Sequence, residues 1–186
     1  MYWTTVTDWE KETESRVALA VGYFKNGYNC SQAVAMSFSD VYQVPLPLMS
    51  RLSTSFGGGI GRMRGTCGAV CGMSMLVGLE IPDAHDAPMS SVNPSLFSPY
   101  PDAEVKKKNY EVVQRLANEF KQETGSIICA DLLGLTQGKP DGNSAPIEVT
   151  PTPEPRTPAY YKKRPCVQMV EIAVRVFMRY VQEKYA

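Results

Sequence analysis

The sequence predicts an all-α protein, a single compact helical domain over residues 1–186 with about five main helices, several short ones and two long proline-rich loops. Three observations predict it. Apolar residues recur at three- and four-residue intervals in several windows, no alternating stretch of useful length suggests a strand, and glycines and prolines fall where the periodic windows end. A chain of this length can bury a sizeable core.

The first window, 8–25, starts with charges and places Val17, Val21 and Phe24 on one face, with Gly27 as a stop signal. Asn29 followed by Gln32 reads as a capping box, and Cys30, Val34, Phe38 and Val41 then share a face, which predicts a second helix over about 30–43. Pro45 and Pro47 break that pattern, and LMSRLSTSF suggests a short third helix ending at Gly57, Gly58 and Gly59. Thr66 is placed to cap a helix from 67 to about 80, apolar on nearly every side and therefore buried.

Residues 82–101 are rich in proline, serine and aspartate and read as a loop, which carries the one histidine, His85. Val105, Val112, Val113, Leu116 and Phe120 predict a helix over 102–124 closed by Gly125. Ser126 is expected to cap a short helix in IICADLL that stops at Gly134. The stretch 136–165 holds seven prolines and little periodicity, so it is expected to be a lid, an interface arm or a disordered segment. The last window starts at Cys166 and has two apolar stripes, Val167, Val170, Val174, Phe177 and Val181 on one and Met169, Ala173, Val176 and Tyr180 on the other, which demands a central place or a partner such as a second copy of the chain.

Nineteen basic and nineteen acidic side chains cancel, which excludes an overall field that would draw the protein to nucleic acid or an anionic membrane. The apolar run 70–79 is far shorter than the roughly 20 residues of a membrane helix. The N-terminus lacks the basic-then-apolar order of a secretory signal, so the expectation is a cytoplasmic protein without membrane insertion.

The chemistry lies in five cysteines, an odd and sparse set that argues against a disulfide scaffold and for reduced, metal-bound or redox-cycling sulfur. Cys30, Cys67, Cys129 and Cys166 each fall in the first turn of a predicted helix, where free N–H groups and the helix dipole favour thiolate. Cys71 lies one turn after Cys67 on the same face, too far for a simple bridge between the two but within reach of a shared ligand or a third cysteine. The competing reading treats each as a small buried hydrophobe.

The element CGAxxG at 67–72, the upstream NCSQAV, the downstream SIICADLLG and RPCVQMV, and FGGGIGR before the motif together resemble the C_GCAxxG_C_C redox-active protein family over about 17–180. The resemblance implies that Cys30, Cys67, Cys129 and Cys166 are the family's four cysteines and that Cys71 occupies a variable place, and it points to a transporter-associated partner.

Other motifs carry less. FGGGIGRMR lacks a preceding strand and the lysine of a phosphate loop, so its glycines read as a tight turn and close packing; Arg62 and Arg64 would lower thiol pKa values if aimed at the sulfurs. The run KKR at 162–164 reads as a solvated charge run, and Asp131 and Glu171 are weak candidates for proton carriers or extra ligands. Tyr110, Tyr160 and Tyr161 have no informative spacing.

Three functions follow. In the first, helix-start thiolates run thiol/disulfide or electron-transfer chemistry with an unidentified redox partner, Cys67 attacking and a second cysteine among Cys30, Cys129, Cys166 and Cys71 resolving. In the second, Cys30, Cys67, Cys129 and Cys166 hold an iron–sulfur cluster or a zinc ion. In the third, the protein is a non-enzymatic interaction module with inert cysteines.

Overall fold

A computed structural model describes residues 2–81, 103–136, 147 and 149–186. The expected loop at 82–101, with His85, lies outside the described residues, as does most of 137–148. Among the described residues there are eight α-helices and a single isolated bridge in place of any strand, as the periodicity predicts.

After a 3₁₀ turn, Tyr2–Thr5, helix α1 covers Trp9–Lys25. Asp8 caps it by accepting from the Lys11 N–H at 2.9 Å, and Gly27, with φ of 98°, ends it. The capping box at α2, Cys30–Met36, is reciprocal: Asn29 accepts from Gln32 N–H and Gln32 from Asn29 N–H, both at 3.0 Å. This helix is shorter than the expected 30–43. Ser37 bonds back to the Val34 carbonyl at 2.8 Å, and the chain continues as turns to Gln43, which is left-handed at φ 53°.

Helix α3, Leu46–Thr54, begins after Pro45 with Pro47 in its first turn, so a proline expected to break a helix instead starts one. Helix α4, Gly68–Glu80, lies against α2. A Cβ at Gly72 would come within 2.7 Å of the Ser31 carbonyl oxygen, so glycine is what permits the close approach. The expected Thr66 cap is not formed: Cys67 itself occupies the N-cap, and Thr66 bridges to Ile128.

Helix α5, Ala103–Thr124, packs on α4 and α8 through Leu116 and Phe120, while its polar face stays outside. Helix α6, Cys129–Leu132, is one turn long. Ser126 does not cap it but accepts from Ile128 N–H and donates to Asp131, fixing the turn that enters it; Gly134, at φ 68°, ends it as expected. Helix α7, Pro158–Lys163, interrupts the stretch expected to lack structure, with Thr157 as its cap. Helix α8, Cys166–Tyr185, is central, touching α1, α2, α4 and α5 and burying both apolar stripes, Val170, Val174, Phe177 and Val181 on one and Ala173 and Val176 on the other.

Two polar knots tie the periphery to this core. Arg16, buried in α1, pairs with Glu12 and Asp40 and donates to the Tyr2 hydroxyl. Glu80, at the end of α4, accepts from Trp3 Nε1, Tyr42 OH, Lys184 Nζ and Tyr185 OH. No helix among the described residues is long and apolar enough to cross a membrane.

Candidate functional site

Cys30 and Cys166 are first helical residues as expected, whereas Cys67 is an N-cap instead of lying in the first turn, and Cys129 opens α6 instead of lying three residues past a Ser126 cap. All five are free thiols. The ends of α2, α6 and α8 converge, so Cys30, Cys129 and Cys166 line one cavity of about 420 Å³, with Cys67 close enough to Cys30, Cys129 and Cys166 to feel their charge.

The loop between α3 and α4 builds one wall. Gly58, Gly59, Ile60, Gly61, Arg62 and Arg64 are all left-handed, three of them non-glycine, a costly run of backbone. It is held because its amides reach back five or six residues: Gly61 N–H to Ser55, Arg62 to Gly57, Arg64 to Gly58 and Gly65 to Gly59. The carbonyls of Gly65 and Arg64 then accept the N–H groups of Cys129 and Ala130, which pins α6 onto the loop. Gly59 sits under that contact, where a Cβ would lie 2.7 Å from the Cβ of Cys129. The glycines thus serve turn and packing, and the same turn aims Arg62 and Arg64 into the cavity.

The opposite wall comes from the segment expected to be structureless. Arg156 lies over the rings of Phe24 and Tyr160 at 4.6 and 4.7 Å and donates to the Tyr28 carbonyl. Arg164 lies over Tyr160 at 5.1 Å and pairs with Glu154. Arg156, Tyr160 and Arg164 all line the cavity, so KKR is not a uniformly solvated run: Lys162 and Lys163 are exposed, while Arg164 turns inward.

Being at a helix start does not make most of these thiols acidic. Burial pushes Cys67 up to about 12, against the pull of the Ala69 and Val70 N–H groups. Burial also raises Cys71, to about 11, and raises Cys129 despite a hydrogen bond from Arg64. Cys166 alone moves the other way, to about 7, chiefly because Cys30 hydrogen-bonds to its sulfur and then because Arg164 and Arg156 stand beside it. Donating that hydrogen bond, together with burial, holds Cys30 well above the ordinary thiol range.

The remaining candidates lie elsewhere. Cys71 points at the Thr66 carbonyl, 3.8 Å away, and is not part of the cavity wall. Asp131 is held by Ser126, and Glu171 pairs with Arg175. No group of three or more His, Cys, Asp or Glu side chains among the described residues is placed to hold a metal ion. Sequence reasoning missed Arg156 and Tyr160; the only signal was an arginine and aromatics inside a proline-rich run.

A family model described as "Putative redox-active protein (C_GCAxxG_C_C)" matches residues 28–180. The chain belongs to this family. No curated protein and no solved structure matches the chain. The matched span contains all four cysteines of the motif and both walls of the cavity.

Proposed function

We propose that this family member is a thiol/disulfide redox protein in which Cys166 is the attacking thiolate and Cys30 the resolving thiol. One observation carries the reading: the two cysteines, from different helices, lie together on the wall of an arginine-lined cavity. A thiolate is the nucleophile in disulfide exchange, and at neutral pH Cys166 is the cysteine with a substantial thiolate fraction. Cys67, expected to attack, is held protonated by burial, which suits a supporting place behind the pair. Cys129, bonded to Arg64, completes the sulfur wall.

Pairs of titratable groups whose environments push their pKa values apart mark the partners of a proton-coupled step. Here arginine faces Cys166 while burial holds Cys30 up, which supports Cys166 as the attacking and Cys30 as the resolving thiol.

The test is a thiol count on reduced protein before and after mild oxidation by a small disulfide. The expected result is the loss of two titratable thiols, with peptide mapping showing a Cys30–Cys166 bond and its absence in Cys166→Ser. A protein that keeps five thiols through such treatment would refute the proposal.

A further inference from the structure

The cavity is basic in a chain whose formal net charge is zero. Arg62, Arg64, Arg156 and Arg164 line it and, among the described residues, no aspartate or glutamate does. Only Arg164 has a carboxylate partner among the described residues, Glu154. Arg62 donates to the Thr150 carbonyl and Arg156 to that of Tyr28, neither of which neutralises charge. Arg64 is 7% exposed, and its Nε finds no hydrogen-bond partner among the described residues, nor does Nη1 of Arg156. A buried donor left without a partner is costly, and more so when it is charged. Burial and the neighbouring Arg64 depress the Arg62 pKa, a sign of crowded cations.

We infer that this cavity is an anion-recognition site, and that the substrate of the Cys30–Cys166 pair is a small disulfide bearing carboxylate groups. The binding half stands on the arginines alone; the chemical half rests on the thiol/disulfide reading above. Arginine suits the task because its planar fork meets a carboxylate with two parallel hydrogen bonds. Leu133, Pro151, Pro153 and the Tyr160 ring supply apolar wall for the carbon chain.

The reaction balances without further reagents. The Cys166 thiolate attacks one sulfur of the bound disulfide, a Cys166–S–S–R bond forms, and the R–S⁻ that leaves takes the proton of Cys30. The Cys30 thiolate attacks Cys166 Sγ, closing the Cys30–Cys166 disulfide and expelling the second R–S⁻, which is protonated by solvent. Two electrons pass from the protein thiols to the substrate.

Three disulfides of similar size separate the terms: dithiodipropionate (a dianion), 2-hydroxyethyl disulfide (neutral) and cystamine (a dication). The reduced wild-type protein should be oxidised by the dianion at least about tenfold faster than by the neutral compound, with cystamine slowest, and added salt should shrink the ratio. Arg62→Gln, at a partly exposed position, and Arg64→Gln should each narrow it. A wild-type ratio near one, with all three disulfides reacting, overturns the anion site and leaves the redox reading intact. If none reacts, the redox reading fails, and calorimetry of dithiodipropionate with Cys166→Ser still decides the site. Saturable binding that weakens in the added Arg62→Gln variant supports it; no binding overturns it.

Discussion

Replacing Cys30 with alanine removes the largest influence holding Cys166 down at about 7. At pH 7 the native sulfur is half ionised, and a thiol returned fully to the ordinary 9.0 would be about 1% ionised, a roughly fiftyfold loss of thiolate. Nucleophilicity rises with basicity by a Brønsted slope of about 0.4–0.5, which over two pKa units restores about six- to tenfold. The net expectation at pH 7 is attack about five- to eightfold slower; near pH 10, where both forms are ionised, the variant should be faster by about six- to tenfold. These are outer limits, because Arg164 and Arg156 stay in place. The assay is the pH profile of the first thiol released from 2-hydroxyethyl disulfide, with the modified cysteine located by peptide mass. Cys30→Ser keeps a donor and should move the profile only part of the way. Profiles that do not cross, or a native inflection at the ordinary thiol value, would refute the hydrogen-bond account.

Cys67, raised to about 12, gives an alkaline signature. Its folded pKa exceeds its unfolded one, so its contribution is fully present below about pH 9 and is lost as pH rises toward 12, at about 1.4 kcal/mol per pH unit; chemical melts of Cys67→Ala should show a shallower decline between pH 9 and 11 than the wild type. Gly59→Ala should lose about 2–5 kcal/mol, from a left-handed alanine and a Cβ forced against Cys129 and the Gly65 amide. Gly61→Ala, equally left-handed but facing open space, should lose only about 1–2 kcal/mol, and equal losses in urea melts would discredit the packing argument. Glu80→Ala strands Trp3 Nε1 and Tyr42 OH, and should cost about 3 kcal/mol, the lower end for a broken buried pair because Lys184 can reach water; a change under 1 kcal/mol by urea titration would mean the knot is not stabilising.

The helices were legible because each carries its own evidence. Asn29 with Gln32, Gly27 and Gly134, and the 3.6-residue stripe of α8 are local signals, and all appear where the chain puts them. The end of α2 was not, because Ser37 and Gln43 stop it through a side-chain bond and a left-handed turn that leave no mark on the apolar pattern. Residues 149–165 were illegible for a different reason. Arg156 packs between Phe24 and Tyr160, and Tyr161 donates to the Lys25 carbonyl, so this segment is ordered by partners more than a hundred positions away. Proline content shows only that the backbone lacks donors.

The nearness of four sulfurs to helix starts was readable, and their protonation was not, because the two depend on different physics. A helix start contributes about 0.3–1 kcal/mol to a nearby anion, up to about 2 kcal/mol when partly buried. Desolvation of a fully buried ionisable group reaches 3–5 pKa units, several times as much. Sequence position reports the first and is blind to the second, so four similar helix-start cysteines were expected to behave alike. They do not: at Cys67 burial wins outright, and at Cys129 it wins even against Arg64. Cys166 escapes only because Cys30, Arg156 and Arg164 surround it, and two of those three come from the proline-rich segment. The dipole is therefore a common background, and Cys30 first, then Arg164 and Arg156, set Cys166 below the other thiols. Removing both charges, in Arg156→Gln/Arg164→Gln, should raise the Cys166 inflection while the far-ultraviolet spectrum of the helices stays unchanged, whereas a dipole-driven thiolate would keep its inflection in place.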